Sequence, residues 1–254
     1  MSPDLFLPPG MAPEVLLGLL AASFGASFIT AAFGIGGGVA LLAVMATLVP
    51  PAVLIPVHGI VQVGSNVGRA AIMLRWISWP AMPAFAIGSA VGAALGGMLV
   101  VSISPALVQL GLGLFIIWSV VARPPRLMRR WSAVTGAISS FLTMFFGATG
   151  LFVATYTKAL ELERHGHVAT HAALMTVQHA VKTVAFGLLG FAFGPWLPFV
   201  AAMIAAGFAG TVAGRQVLTR LGDPRFKIAL NTVLFLLAAR LIWSGSSQLL
   251  AGTG

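Results

Sequence analysis

Apolar segments recur along nearly the whole of this chain, and they constrain its fold more than any other feature. Several are about 20 residues long, the length that crosses the hydrocarbon of a bilayer as a helix. Charged residues make up only 7% of the sequence, against about 25% in a typical soluble domain. The sequence therefore predicts an all-α polytopic membrane protein with no soluble catalytic domain.

The segments fall into two sets of five. We predict the first set at residues 14–33, 38–49, 52–74, 80–101 and 105–122, and the second set at 132–146, 151–160, 168–191, 195–217 and 225–245. These sets define two transmembrane repeats, 14–122 and 132–245. A basic linker at 123–131 joins the repeats, and tails at 1–13 and 246–254 flank them.

A duplication supports this division. The stretch "SFITAAFGIGGGVALL", which begins at Ser27, is echoed by "SFLTMFFGATG", which begins 113 positions later at Ser140. In the same register Arg69 meets Lys182, and His58 meets His171. An odd number of segments in each half makes the predicted repeats inverted, a common plan among transporters.

Among the connections, basic residues occur only in alternate ones. They are Arg75 after the third segment, Arg123, Arg126, Arg129 and Arg130 after the fifth, Lys158 and Arg164 after the seventh, and Arg215, Arg220, Arg225 and Lys227 before the last. The positive-inside rule places these connections in the cytoplasm and both termini on the outer, periplasmic side. We interpret His165 and His167, next to Glu161 and Glu163, as solvated residues of such a connection.

Glycines interrupt both repeats at corresponding places. They are Gly34, Gly36, Gly37 and Gly38 in the first repeat, and Gly147 and Gly150 in the second. The segments that follow, 38–49 and 151–160, are too short to cross about 30 Å of hydrocarbon. We predict broken, re-entrant hairpins whose tips offer backbone N–H groups to an anion. Close helix packing through small residues is the alternative.

The third segment of each half carries polar residues on one helical face. They are His58, Gln62, Ser65, Asn66 and Arg69 in the first half, and His171, Gln178, His179 and Lys182 in the second. Polar groups within a membrane segment usually line a cavity, so the two faces are candidate walls of an anion pathway. Alternatively, Arg69 snorkels to the interface, and the histidines are ordinary hydrogen-bond partners between helices.

The scarcity of acids narrows the function further. The only acidic residues are Asp4, Glu14, Glu161, Glu163 and Asp223, all at or beyond segment ends. A cation pathway normally uses carboxylates within the membrane, so the basic stripes favour an anionic cargo. With no cysteine and no carboxylate in the core, we expect no metal site, no cofactor and no enzymatic activity. The basic residues flank apolar segments, so nucleic acid is not an expected partner.

The chain resembles the TauE/SafE family of membrane permeases, the sulfite and organosulfonate exporters. The resemblance covers residues 14–245 and rests on "FGIGGG", its repeat "FGATG", the segment "PPAVLIPVHGIVQVGSNVGRAA", and the pair "AMPAFAIGSAVGAALGGMLV" and "AAGFAGTVAGRQVL". It implies export of sulfite or organosulfonates across the bacterial inner membrane. We expect alternating access, with the anion near the midplane between the tips. An anion channel, a carrier of small carboxylates and a homodimeric assembly are compatible with the same residues.

Overall fold

The computed structural model describes residues 6–8, 11–34, 36–100, 104–121, 130–217 and 224–251, and these residues are predominantly helical, as predicted. The helices are α1 (Pro13–Phe33), α2 (Gly37–Leu48), α3 (Pro51–Ile72), α4 (Met82–Val100), α5 (Pro105–Val121), α6 (Ser132–Phe146), α7 (Gly150–Ala159), α8 (Arg164–Leu188), α9 (Leu197–Val217) and α10 (Pro224–Ala251). Most of the predicted linker at 123–131, with Arg123, Arg126 and Arg129, lies outside the described residues, as does Arg220.

Among the described residues, four stretches are long and apolar enough to span a bilayer: Pro13–Phe33, Trp79–Val100, Gly194–Val217 and Asn231–Ala251. Helices α3 and α8 have 22 and 25 residues and are also long enough, at 1.5 Å per residue, but each carries one of the polar faces. The outer surface is apolar: Met98 and Trp243 are each 78% exposed. Such a surface suits lipid rather than water.

Two boundaries differ from the prediction. Helix α8 begins at Arg164, so the placement of His165 and His167 in a connection was wrong, although both side chains are partly exposed. Helix α10 continues to Ala251, so most of the predicted tail at 246–254 is helical. This extension is held by α5, because Gln248 donates a hydrogen bond from Nε2 to Oε1 of Gln109 at 2.9 Å.

Helices of the two halves pack crosswise. Helix α1 packs against α9, α4 against α6, α5 against α10, and α3 against α8. The glycine side of α9 lies on α1 at Gly210, where an added Cβ would overlap the carbonyl of Phe24. The glycine side of α4 lies on α6 at Gly92, where an added Cβ would overlap the carbonyl of Ala137. Ala137 lies 113 positions after Phe24, which is the offset of the duplication. The two crossings therefore use the same register of the duplicated helix.

The apolar core is centred on the short helix α2. Leu42, Ala43 and Met45 are fully buried there, and α2 contacts α1, α3, α5 and α10. Because these helices surround α2, most of its 12 residues are buried or partly buried, and only Leu48 at its end is exposed. A helix too short to span the bilayer avoids exposing most of its surface to lipid in this way.

Candidate functional site

The helical path of the chain is interrupted at two equivalent glycines, and we call each interruption a break. Gly34 ends α1 with φ +88°, and its N–H donates to the carbonyl of Thr30 at 2.9 Å. Gly147 ends α6 with φ +70°, and its N–H donates to the carbonyl of Thr143 at 3.0 Å. Residues with a side chain rarely adopt such a left-handed φ. The predicted breaks thus occur at corresponding positions, and α2 and α7 follow them.

The remaining glycines of the first break differ in what they contact. Gly36 turns the chain, with φ +102°. Gly37 packs onto α1, since an added Cβ would overlap the carbonyl of Ala26; at this position close helix packing accounts for the glycine. Gly38 faces the polar stripe, because the side-chain nitrogen of Gln62 would lie 3.1 Å from an added Cβ.

The polar face of α3 forms a continuous hydrogen-bonded chain. His58 Nε2 lies 3.2 Å from the carbonyl oxygen of Gly38 and 3.2 Å from Gln62 Nε2. Asn66 Nδ2 donates to the carbonyl oxygen of Gln62 at 2.8 Å and to its Oε1 at 3.2 Å. Arg69 donates from one terminal nitrogen to Asn66 Oδ1 at 2.9 Å. Four predicted residues of α3 are thus joined to one another and to the first break.

Arg69 is held inside the protein. Its side chain is 2% exposed, and its second terminal nitrogen donates to Thr211 Oγ1 of α9 at 3.4 Å. The alternative in which Arg69 snorkels to the interface is therefore wrong. Ser65 also faces α9, since its hydroxyl would lie 2.8 Å from an added Cβ on Gly207.

The polar face of α8 serves the second break. Lys182, which is fully buried, donates from Nζ to the carbonyl oxygen of Gly147 at 3.0 Å. Gln178 donates from Nε2 to Thr149 Oγ1 at 2.8 Å and accepts a short hydrogen bond from Ser139 Oγ. Sequence reasoning missed Ser139 and Thr149, whose only signal was a small hydroxyl side chain beside the break.

The two polar faces meet through their histidines. The rings of His58 and His179 pack edge to face, with centroids 5.9 Å apart. Lys182 lies beside Gly59 of α3, where an added Cβ would come within 2.7 Å of its Cε. Arg69 is ten residues further along α3, which is about 15 Å along a helix axis. The two buried cations therefore occupy different heights along α3, with Lys182 bonded to the second break and Arg69 bonded to Asn66 and Thr211.

A further histidine belongs to this arrangement. The ring of His167 stacks on that of His171 with centroids 6.4 Å apart. An added Cβ on Gly34 would lie 3.4 Å from His167, and one on Gly150 would lie 3.7 Å from His171. Each break thus has a histidine of α8 beside it. His167 lies four residues before His171, which is about one helical turn. This spacing was the sequence signal that the two histidines share one face of α8.

The site is suited to an anion. The buried charged residues among those described are Arg69 and Lys182, while Glu14, Glu161 and Glu163 are exposed. Within the described ranges no group of three His, Asp or Glu residues could hold a metal ion. Taking a charge out of water is costly unless an opposite charge or hydrogen bonds compensate it. A transient anionic guest would supply that compensation.

One comparison identifies a family. The family model described as "Sulfite exporter TauE/SafE" matches residues 19–241, which is most of the chain and includes both breaks and both polar faces. No curated protein and no solved structure matches the chain.

Proposed function

Because the chain belongs to the TauE/SafE sulfite exporter family, and is therefore a multi-pass membrane transporter and not an enzyme, we propose that it exports a small sulfur-containing anion such as sulfite or an organosulfonate. The family fixes the class of protein. The buried cations of α3 and α8 support the choice of an anion.

The buried, incompletely hydrogen-bonded ammonium group of Lys182 is the observation that carries this proposal. An ammonium group has three donors, and the structure gives Nζ one acceptor, the carbonyl oxygen of Gly147. Nζ lies 3.5 Å from the position of an added Cβ on Gly59 of α3, inside the contact between α3 and α8. An oxyanion at this level would accept hydrogen bonds from the remaining donors and offset a buried charge that no acid neutralises among the residues described.

Arg69 provides a second binding position for the same anion. We call the positions beside Arg69 and Lys182 the Arg69 level and the Lys182 level. Its guanidinium is held by Asn66 and Thr211, one partner from each half of the chain, while its Nε has no partner in the described part of the chain. The anion passes between the Arg69 level and the Lys182 level along the line of His171, Gln62, His58 and His179. Gln62, Asn66 and Gln178 assist as hydrogen-bond donors, and Gly38 and Gly150 leave room for its approach.

We infer alternating access, which the crosswise packing supports. The equivalent crossings of α1 with α9 and of α6 with α4 support two inverted repeats, because the first helix of each repeat packs against the fourth helix of the other. Rocking of one repeat against the other would open the Arg69 level and the Lys182 level to opposite sides in turn. Helices α3 and α8 form the contact across which the anion moves.

We infer the orientation in the membrane from the basic residues. Arg75, Arg164 and Arg215 lie at the end of the bundle where α3 and α9 finish and α8 begins, and the positive-inside rule puts that end in the cytoplasm. Both termini then lie outside, in the periplasm of a bacterial inner membrane. With the cell interior negative, expelling one negative charge gains about 2.3 kcal/mol per 100 mV, which favours export.

Counterflow in proteoliposomes tests the proposal. Vesicles preloaded with sulfite or an alkanesulfonate should accumulate the labelled anion in a saturable manner, and Lys182→Met should abolish this accumulation. Lys158→Met is the matched control, since Lys158 is exposed at the end of α7. Undiminished counterflow in Lys182→Met would overturn the role of Lys182. Non-saturable flux would indicate a channel, and counterflow of acetate or succinate alone would indicate a carboxylate carrier.

A further inference from the structure

A second cationic cluster lies on the surface, apart from the buried residues. The indole ring of Trp76, just after α3, has the guanidinium of Arg75 4.0 Å from its centroid and that of Arg215 5.7 Å from its centroid. The imidazole of His165, at the start of α8, stacks on the same ring with centroids 5.0 Å apart and planes 23° apart. We name these four residues the Trp76 cluster.

Three helices build this cluster. Arg75 and Trp76 follow α3, His165 belongs to the first turn of α8, and Arg215 belongs to the last turn of α9. Positions so far apart in sequence meet here because α3 packs against both α8 and α9. The backbone of Trp76 also lies close to α8, since an added Cβ on Gly166 would be 3.5 Å from the backbone oxygen of Trp76. The cluster is thus a product of the tertiary fold rather than a run of basic residues.

The charges of the cluster are not neutralised within it. Arg75 and Arg215 are both exposed, and neither forms an ion pair with a carboxylate in the described part of the chain. Glu161 and Glu163, the acids nearest in sequence to His165, are exposed at the start of α8. Two guanidiniums held on one indole repel each other, although the ring attracts both of them. An anion between them would remove that repulsion.

We propose that the Trp76 cluster is a binding site for an oxyanion of the sulfate, sulfonate or phosphate type. Guanidinium groups bind such planar or tetrahedral oxyanions through two parallel N–H···O bonds. The indole lies within cation–π distance of both guanidiniums and so favours their position beside the ring. A solvated anion and the phosphate headgroup of an anionic lipid share this chemistry. The site is distinct from the residues proposed for transport and does not depend on the identity of the transported anion.

Fluorine NMR of protein labelled with 5-fluorotryptophan gives a local measurement. The chain has six tryptophans, and Trp76→Phe assigns the resonance of Trp76. Sodium sulfate is titrated into protein in phosphatidylcholine nanodiscs, with ionic strength held constant by sodium chloride. The Trp76 resonance should shift saturably, and the apparent Kd should rise by about tenfold for each guanidinium removed, in Arg75→Gln and in Arg215→Gln.

Three controls keep the result interpretable. Arg130→Gln, which removes an exposed arginine outside the cluster, should leave the titration unchanged. Lys182→Met should also leave it unchanged, which separates this site from the proposed transport site. The other five tryptophan resonances show whether each variant is folded.

A second set of nanodiscs distinguishes the two sources of the oxyanion. If phosphatidylglycerol shifts the Trp76 resonance and abolishes the response to sulfate, the natural occupant is a lipid headgroup. If the response to sulfate persists in those nanodiscs, the site takes a solvated anion. Absence of a saturable shift with both sulfate and phosphatidylglycerol, in folded protein, would overturn the proposal.

Discussion

Lys182 and Thr143 donate to the same acceptor, the carbonyl oxygen of Gly147, at 3.0 and 2.9 Å. The break between α6 and α7 is therefore held twice, once by the buried cation of α8 and once by a hydroxyl of α6 itself. If the lysine is lost, this carbonyl still has Thr143 as a partner. The contribution of Lys182 to transport can therefore be measured separately from its contribution to the stability of the fold.

Lys182→Met should abolish transport and leave the protein as stable as the wild type. The methionine fills a similar volume, no buried charge is left unpaired, and the Thr143 hydroxyl still satisfies Gly147. The free energy of unfolding in mixed micelles should change by less than about 1 kcal/mol. In contrast, Lys182→Ala leaves a cavity and should cost about 2 kcal/mol or more. Equal losses for both variants would mean that the ammonium itself stabilises the fold.

Thr211→Val should destabilise the protein although it preserves the shape of the side chain. The substitution removes the hydroxyl that accepts a hydrogen bond from Arg69 and leaves a buried guanidinium nitrogen without this partner. We expect a loss of about 1–2 kcal/mol in the free energy of unfolding. Thr232→Val is the control, since Thr232 is exposed and bonds only to its own helix. Equal effects at the two positions would show that Arg69 does not depend on Thr211.

Gln178→Leu should cost more than the loss of a single hydrogen bond. The amide of Gln178 connects α8 to Ser139 of α6 and to Thr149 at the second break. Leucine would leave both hydroxyls without this partner in a buried position, so we expect a loss of about 2–3 kcal/mol in the free energy of unfolding. Gln216→Leu, at an exposed position of α9, should change it by less than about 0.5 kcal/mol. Thermal unfolding of the purified variants measures the difference.

Gly92→Ala and Gly210→Ala should destabilise the protein to a similar extent. Each adds a methyl group where a backbone carbonyl of the crossing helix already lies, and overpacking of this kind costs about 1–3 kcal/mol. Gly25→Ala and Gly97→Ala are the controls, since an added Cβ meets nothing within 4 Å at Gly25 and only ordinary contacts at Gly97. A large loss at one crossing and none at the other would argue against equivalent packing of the two repeats.

Much of the local structure follows from residue types at short spacing. Prolines start α1, α3, α5 and α10, where the missing N–H costs nothing. Gly34 and Gly147 end α1 and α6, since only glycine takes their φ without strain. The spacing of His58, Gln62, Asn66 and Arg69 puts them on one face of α3, because residues three and four apart are neighbours on a helix.

The errors have a common cause. His165 and His167 looked like residues of a polar connection, yet both lie in the first turn of α8, where they contact Trp76 and Gly34 of other segments. The predicted tail after residue 245 is helical because α5 supplies Gln109 as a partner. In each case a contact across more than 80 positions decided what a local polar sequence left undetermined.

The sequence by itself determined the solvent of this protein, the places where its helices break and the faces that carry polar residues, since all three depend on composition or on neighbours within one helical turn. Only the tertiary structure decided that Lys182 bonds to Gly147 while Arg69 bonds to Asn66 and Thr211, and that the two cations lie at separate levels. These partners depend on the register in which α8, α9 and the second break meet α3. That register comes from close packing between distant helices, which no local spacing encodes.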